Sequence, residues 1–245
     1  MADARHILRI SGNDAKSFLQ GLVTNDVDKT SDGLVYAALL TPQGKYLADF
    51  FMLADGEDIL IDVDASLAAP LKMRLSMYKL RADVAITDAD LYVHRGLSDA
   101  PEDGHLDPRD PTLGWRAFRD VAQTDDTTDW TSLYVTAEVP QTGVELHSDS
   151  YILEMGFERL NGVDFRKGCY VGQEVTARMK HKTELRKGLA KVTVSGAADP
   201  GDEITANGKP VGTLHSRAGN QALAYLRFDR ATGEMQAGDA KLMRP

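Results

Sequence analysis

The first ninety residues alternate between two hydrophobic periods, in an order that leaves few folds open. Ile7-Leu8-Arg9-Ile10 is a short strand. Ser11 to Asn13 then supply side-chain caps for a helix in which Ala15, Phe18, Leu19 and Leu22 share one face. Three strand-like runs follow, Leu34 to Leu40, Tyr46 to Leu53 and Ile59 to Val63, parted by Pro42-Gln43-Gly44 and Asp55-Gly56 as hairpin turns. The spacing of Leu67, Leu71, Leu75 and Tyr78 predicts a helix from Ser66 to Leu80, where Pro70 is tolerable because it lies near the first turn. Val84 to Ile86 closes the section as a strand. The order β-α-β-β-β-α-β predicts an α+β fold close to a ferredoxin-like split unit.

Beyond this section the pattern weakens. Residues 98 to 112 hold three prolines and five carboxylates and read as an exposed loop. Trp115 to Val121 and Leu133 to Val139 are the next candidate elements. Ser150 is expected to cap a helix with Leu153, Phe157 and Leu160 inward and Gly162 just past its end. From Leu189 the texture turns to short strands with glycine turns, and Asn207-Gly208 is a hairpin signal. Residues 186 to 245 read as a small β-barrel-like domain.

Composition narrows the function. The net charge of −9 with 7% aromatics argues against a nucleic-acid binder. No apolar stretch approaches the ~18 residues of a membrane span, and no targeting segment is visible, so a cytoplasmic protein is expected. A single cysteine makes no internal disulfide and favours a reducing compartment. It also excludes a self-contained four-cysteine zinc or iron–sulfur site; any cluster would need ligands from other residue types, a cofactor thiol or a second chain.

That cysteine, Cys169, lies in the densest chemistry of the chain, Arg166-Lys167-Gly168-Cys169-Tyr170-Val171-Gly172-Gln173-Glu174-Val175-Thr176-Ala177-Arg178. Gly168 and Gly172 permit sharp turns or close approach of a partner. Gln173 and Glu174 are placed to open a helix running toward Arg178. Lys167, Arg166 and a helix N-terminus would each favour a thiolate, the form that ligates metal or attacks an electrophile. The alternative is a small buried cysteine in a glycine-rich turn. Residues 166 to 191 carry +6 within a chain that is −15 elsewhere, which suggests an anionic ligand or, more plainly, a solvated basic face.

The run Lys167 to Glu174, with Arg178 four residues on, resembles the signature of the YgfZ family, folate-binding proteins related to the glycine-cleavage T-protein (aminomethyltransferase) that assist assembly or repair of iron–sulfur proteins. Phe18 to Val27, Leu40 to Lys45 and Tyr78 to Arg81 resemble further family motifs. The resemblance implies a T-protein-like fold: two ferredoxin-like α+β units, residues 1–90 and 91–185, and a C-terminal β-barrel, residues 186–245, around a central channel that holds tetrahydrofolate. It implies a functional thiol at Cys169, supported by Lys167, Gln173, Glu174 and Arg178. Cys169 would also be the metal ligand, in a transient [2Fe–2S] cluster shared with an iron–sulfur carrier or client protein. It implies folate contacts at Glu154, Asn25, Asp26 and Arg81. Two other classes remain open: a folate-dependent aminomethyl transferase using Asp26 or Glu154 as the carboxylate, and a cysteine hydrolase, for which no histidine partner is recognisable by spacing.

Overall fold

A computed structural model describes residues 4–181 and 184–244. The chain divides into two compact units, residues 1–127 with 158–177, and residues 128–157 with 178–245.

The first unit begins with β1 (Arg5–Ser11), α1 (Ala15–Gln20), β2 (Val35–Leu40), β3 (Tyr46–Asp55), β4 (Asp58–Asp64), α2 (Ala65–Lys79) and β5 (Ala85–Asp88). These strands form one antiparallel sheet in the order β2-β3-β4-β1-β5. Without the edge strand β2 the connectivity is β-α-β-β-α-β in the order β3-β4-β1-β5, which is the split unit expected from the sequence. One sheet face carries Leu8, Ile10, Phe50, Met52, Ile61 and Val63, packed with Leu19, Leu71 and Leu75 of the two helices. Asp64 caps α2 by accepting from Ser66 N, and Pro70 sits in the second turn.

The opposite face is buried too, and carries charged residues among apolar ones such as Ile7, Phe51 and Leu60. Asp62 accepts from Arg5 and from Arg116, and Arg116 also reaches Asp107, which takes a two-pronged contact from Arg109. The Arg116 and Arg109 guanidiniums lie 4.1 and 4.7 Å from the Phe51 ring centroid. Arg116 belongs to a three-stranded sheet, β6 (Tyr92–Gly96), β7 (His105–Leu106) and β8 (Trp115–Arg119), ordered β6-β8-β7. The expectation of a fully exposed loop over 98 to 112 is therefore corrected: Asp107 and Arg109 are buried, because paired guanidiniums satisfy the carboxylate there. Burial alone would raise the Asp107 carboxyl, but the Arg109 and Arg116 charges and hydrogen bonds outweigh it and hold it at about 2.

The second unit contains α3 (Trp130–Thr136), which matches the candidate element near Leu133, and a closed barrel. The barrel strands are β9 (Lys187–Ser195), β10 (Glu203–Ala206), β11 (Lys209–Ala218), β12 (Gln221–Arg227), β13 (Met235–Ala237) and β14 (Ala240–Met243), in the order β10-β11-β12-β9-β14-β13. Asn207 and Gly208 both have positive φ, 52° and 70°, as a two-residue hairpin turn demands. The helix expected after Ser150 is absent. Residues 151–161 run through successive turns, Gly156 adopts φ +79°, and the Ser150 hydroxyl accepts from His147 N instead of capping forward. The apolar spacing nevertheless marks burial correctly, since Leu153, Phe157 and Leu160 are all buried.

Candidate functional site

Two segments some 140 residues apart in sequence, near 20–26 and 161–167, meet in the first unit. Thr24 Oγ1 donates to Gly162 O at 2.7 Å and accepts from Ala38 N at 2.8 Å. Asn25 Nδ2 donates to Tyr36 O and Asn161 O, and its Oδ1 accepts from Asp26 N. Asp26 Oδ1 accepts from Gln20 Nε2 and Asp28 N, so the carboxylate caps the short 3₁₀ turn Val27–Ser31. Lys29 pairs with Asp164 at 2.6 Å. Asn25 thus ties the two segments through Asn161, while Asp26 is engaged within its own segment.

Lys167 completes the junction. Its ammonium donates to Gln20 O, Val23 O and Asn25 O at 2.9, 2.6 and 2.9 Å. The residue is 8% exposed. Burial lowers its pKa to about 8, against the pull of Asp26 and Asp164. All three ammonium hydrogens are spent on backbone carbonyls, so the side chain anchors the segment that leads to Cys169.

The chain is fixed again on the far side of the cysteine. Tyr170 is buried, and its ring lies 5.3 Å from Lys167 Nζ. Gly172, at φ +83°, lies against the β2–β3 hairpin: a Cβ there would come within 2.6 Å of Thr41 O and 3.2 Å of Gly44 Cα. Gly44, at φ +75°, in turn faces Val175, where a Cβ would meet Val175 Cβ at 2.9 Å. Both glycines are needed for this contact. α4 (Gln173–His181) starts here, as the sequence predicts.

Between the anchors, Gly168 and Cys169 stand exposed. The reading of Cys169 as a buried core residue is excluded. Gly168 has no positive φ, and a Cβ there would meet nothing within 4 Å. Gln173 Nε2 reaches Gly168 O at 3.4 Å, while Glu174 and Arg178 point outward on α4. Cys169, Gln173 and Glu174 are therefore brought together on one loop and helix start, with Lys167 beneath. Arg81 is exposed at the end of α2. In the basic segment, Arg166, Arg178 and Arg186 are exposed, and Lys182 lies outside the described residues.

Glu154 belongs to the second unit. It is 8% exposed, and its Oε2 accepts from the Tyr225 hydroxyl at 2.6 Å with Lys187 Nζ at 3.8 Å. Its backbone O accepts from Leu189 N, which fixes the turn against β9. Oε1 has no hydrogen-bond partner among the described residues and remains available as an acceptor. Burial, then the hydrogen bond and charge of Glu154, push the Tyr225 phenol up. The sequence marks Lys187 only as one charge of the basic segment and does not mark Tyr225, which lies in a strand whose alternation says only which residues face inward.

The described residues contain no group of three or more His, Cys, Asp or Glu side chains able to hold a metal. No helix among them is long and apolar enough to cross a membrane.

Comparison with known proteins gives these features a context. Residues 186–244, the barrel, match the family described as CAF17, C-terminal beta-barrel domain. The iron–sulfur cluster assembly factor IBA57 homolog of Mycosarcoma maydis is 34% identical over 229 residues, 80% of this chain and 57% of that protein. Mouse IBA57 is 29% identical over 280 residues, 95% of this chain and 78% of that protein. Against the fungal relative, therefore, the chain spans little more than half the length. Both relatives are mitochondrial proteins, which overturns the expected cytoplasmic placement. The fold is that of glycine cleavage system aminomethyltransferase T from Bartonella henselae, with a TM-score of 0.75 at 11% identity, covering 97% of this chain and 81% of that one. The chain thus has the aminomethyltransferase fold with a CAF17-type C-terminal barrel, and over most of its length it is similar to the IBA57 iron–sulfur cluster assembly factors.

Proposed function

We propose that this chain is an iron–sulfur cluster assembly factor of the YgfZ type, in which Cys169 supplies one thiolate to a [2Fe–2S] cluster shared with a carrier or client protein. The observation that carries this reading is the exposed Gly168-Cys169 tip held between buried anchors, Lys167 on one side and Tyr170 with Gly172 on the other. A ligand that must meet a second protein has to be accessible, and it has to be held so that little order is lost on meeting. With one cysteine in the chain, the remaining ligands come from the partner. Gly168 leaves the approach to the sulfur open.

Tetrahydrofolate is the second ligand of this reading, with Glu154 as its recognition group. A buried carboxylate with one oxygen steadied by Tyr225 and the other open to accept suits the N–H donors of a pterin ring. In this reading Asn25 ties the junction together and Asp26 caps the turn beside it, and Arg81 is an exposed residue after α2.

The test is anaerobic mixing with a [2Fe–2S]-loaded A-type carrier protein, read by visible absorption and circular dichroism. Wild type and Cys169→Ser are compared, each with and without tetrahydrofolate. The expected result is a new cluster signal that requires Cys169, with tetrahydrofolate affinity reduced about tenfold or more by Glu154→Gln. The same signal in both proteins, or none in either, refutes the ligand role. Unchanged folate affinity in Glu154→Gln refutes the folate role.

A further inference from the structure

Helix α2 is apolar on two opposite sides. Leu71 and Leu75 face the core, as the sequence predicts. Met73 and Met77 lie on the other side, and Leu80 follows directly after the helix; they are 62%, 62% and 88% exposed. Lys72 and Lys79 lie on one side of the two methionines and Arg74 on the other, and Arg81 follows Leu80 in the chain. Residues 65–82 contain no carboxylate at all, in a chain of net charge −9. Lys72 is paired with Asp88, whereas Arg74, Lys79 and Arg81 have no carboxylate partner among the described residues.

Leu80 adds an independent observation. Its backbone is at φ 48°, ψ −105°, a region suited to glycine and unfavourable to a branched side chain. At this strained position a large apolar side chain stands 88% exposed. A packing role would bury Leu80, and a turn without other duties would use glycine.

From this we infer that the Met73–Met77–Leu80 stripe is a docking surface for an acidic partner protein, one whose apolar groove is edged by carboxylates. The inference rests on the assembly-factor reading for the kind of partner, an iron–sulfur carrier or recipient. Two methionines give an adaptable apolar contact, spaced as the anchors of a helix laid in a groove. The unpaired cations match a negative rim and would speed encounter. A protein groove is favoured over a lipid surface because a fluid bilayer has no need of one side chain held in a strained, fixed position.

The experiment uses the full chain and the A-type carrier protein as probe, with affinity measured by calorimetry at low and moderate salt. Variants are Met77→Glu, Leu80→Gly and Arg74→Glu. Leu80→Gly relieves the strained backbone, so it keeps or raises the melting temperature while removing the anchor, which separates docking from folding. Each variant is expected to weaken carrier binding about tenfold or more, with wild-type binding itself weakening as salt rises. Anionic vesicles of phosphatidylcholine and phosphatidylglycerol are expected not to bind. Affinity unchanged within about twofold in all three variants overturns the proposal. So does vesicle binding lost in Met77→Glu, or self-association lost in the same variant. If the carrier gives Cys169-dependent cluster uptake yet ignores these variants, docking on α2 falls and the assembly reading stands. If the variants weaken binding but cluster uptake is independent of Cys169, the ligand role falls and the docking surface stands. No carrier binding together with no cluster uptake removes both.

Discussion

Lys167→Met tests whether the cysteine loop is built around a buried ammonium. Methionine keeps the apolar stem of the side chain and removes only the charged head. Three backbone carbonyls, Gln20 O, Val23 O and Asn25 O, then lose donors at 2.9, 2.6 and 2.9 Å. Each buried acceptor left without a donor costs roughly 1 kcal/mol or more. The loss of a buried ammonium also removes its own desolvation cost, evident in the pKa of about 8, so the net destabilisation expected is about 3 kcal/mol rather than the full sum of three charge-assisted bonds. For a chain of this size that is a drop in melting temperature of roughly 6–12 °C. The assay is thermal unfolding at pH 7 with hydrogen exchange of the amides of residues 164–172, which should lose protection selectively. The Cys169-dependent cluster signal should fall although the thiol is unchanged. A loss below about 1 kcal/mol with protection intact would refute the reasoning. It would mean that water replaces the ammonium at little cost and that Lys167 serves some other purpose.

Three further outcomes follow from the same geometry. Gly172→Ala, which sets a Cβ 2.6 Å from Thr41 O at φ +83°, should cost about 2–4 kcal/mol, whereas Gly168→Ala should be neutral within about 0.5 kcal/mol; equal costs in denaturant unfolding would contradict the assigned contacts. The Asp107 carboxyl is held at about 2 in the folded chain against an ordinary 3.8, so its contribution is present above pH ~4 and is lost as pH falls toward 2; this amounts to about 2 kcal/mol, and an acid titration of stability should lose that segment in Asp107→Asn. Tyr225→Phe removes the donor to Glu154 and should cost about 2 kcal/mol, with much less lost when Glu154→Gln is already present; purely additive losses in that double-mutant cycle would deny the pairing.

What could be read from the sequence, and what could not, divides along a physical line. The β-α-β-β-β-α-β order was legible because each element carries its own period, and the Asn207-Gly208 turn because its backbone needs residues that accept positive φ. Adjacency to Cys169 suggested that Lys167 would promote a thiolate. Its direction was set instead by carbonyls some 140 residues earlier, and no local signal encodes that. The prolines and carboxylates of 98 to 112 read as an exposed loop, correctly for Ser98 to Ala100, but Asp107 and Arg109 pair with each other inside, where Arg116 of β8 also meets Asp107. At Leu153, Phe157 and Leu160 the helical period identified burial while the backbone took turns, because Gly156 adopts φ +79°. The motif glycines show the same division within one loop. Gly172 is fixed by the hairpin it touches, whereas no contact among the described residues requires Gly168. A glycine beside an exposed thiol that the fold itself does not need is best explained by a partner that must come close to the sulfur, and this ties the sequence motif to the shared-cluster reading more directly than the charge pattern does.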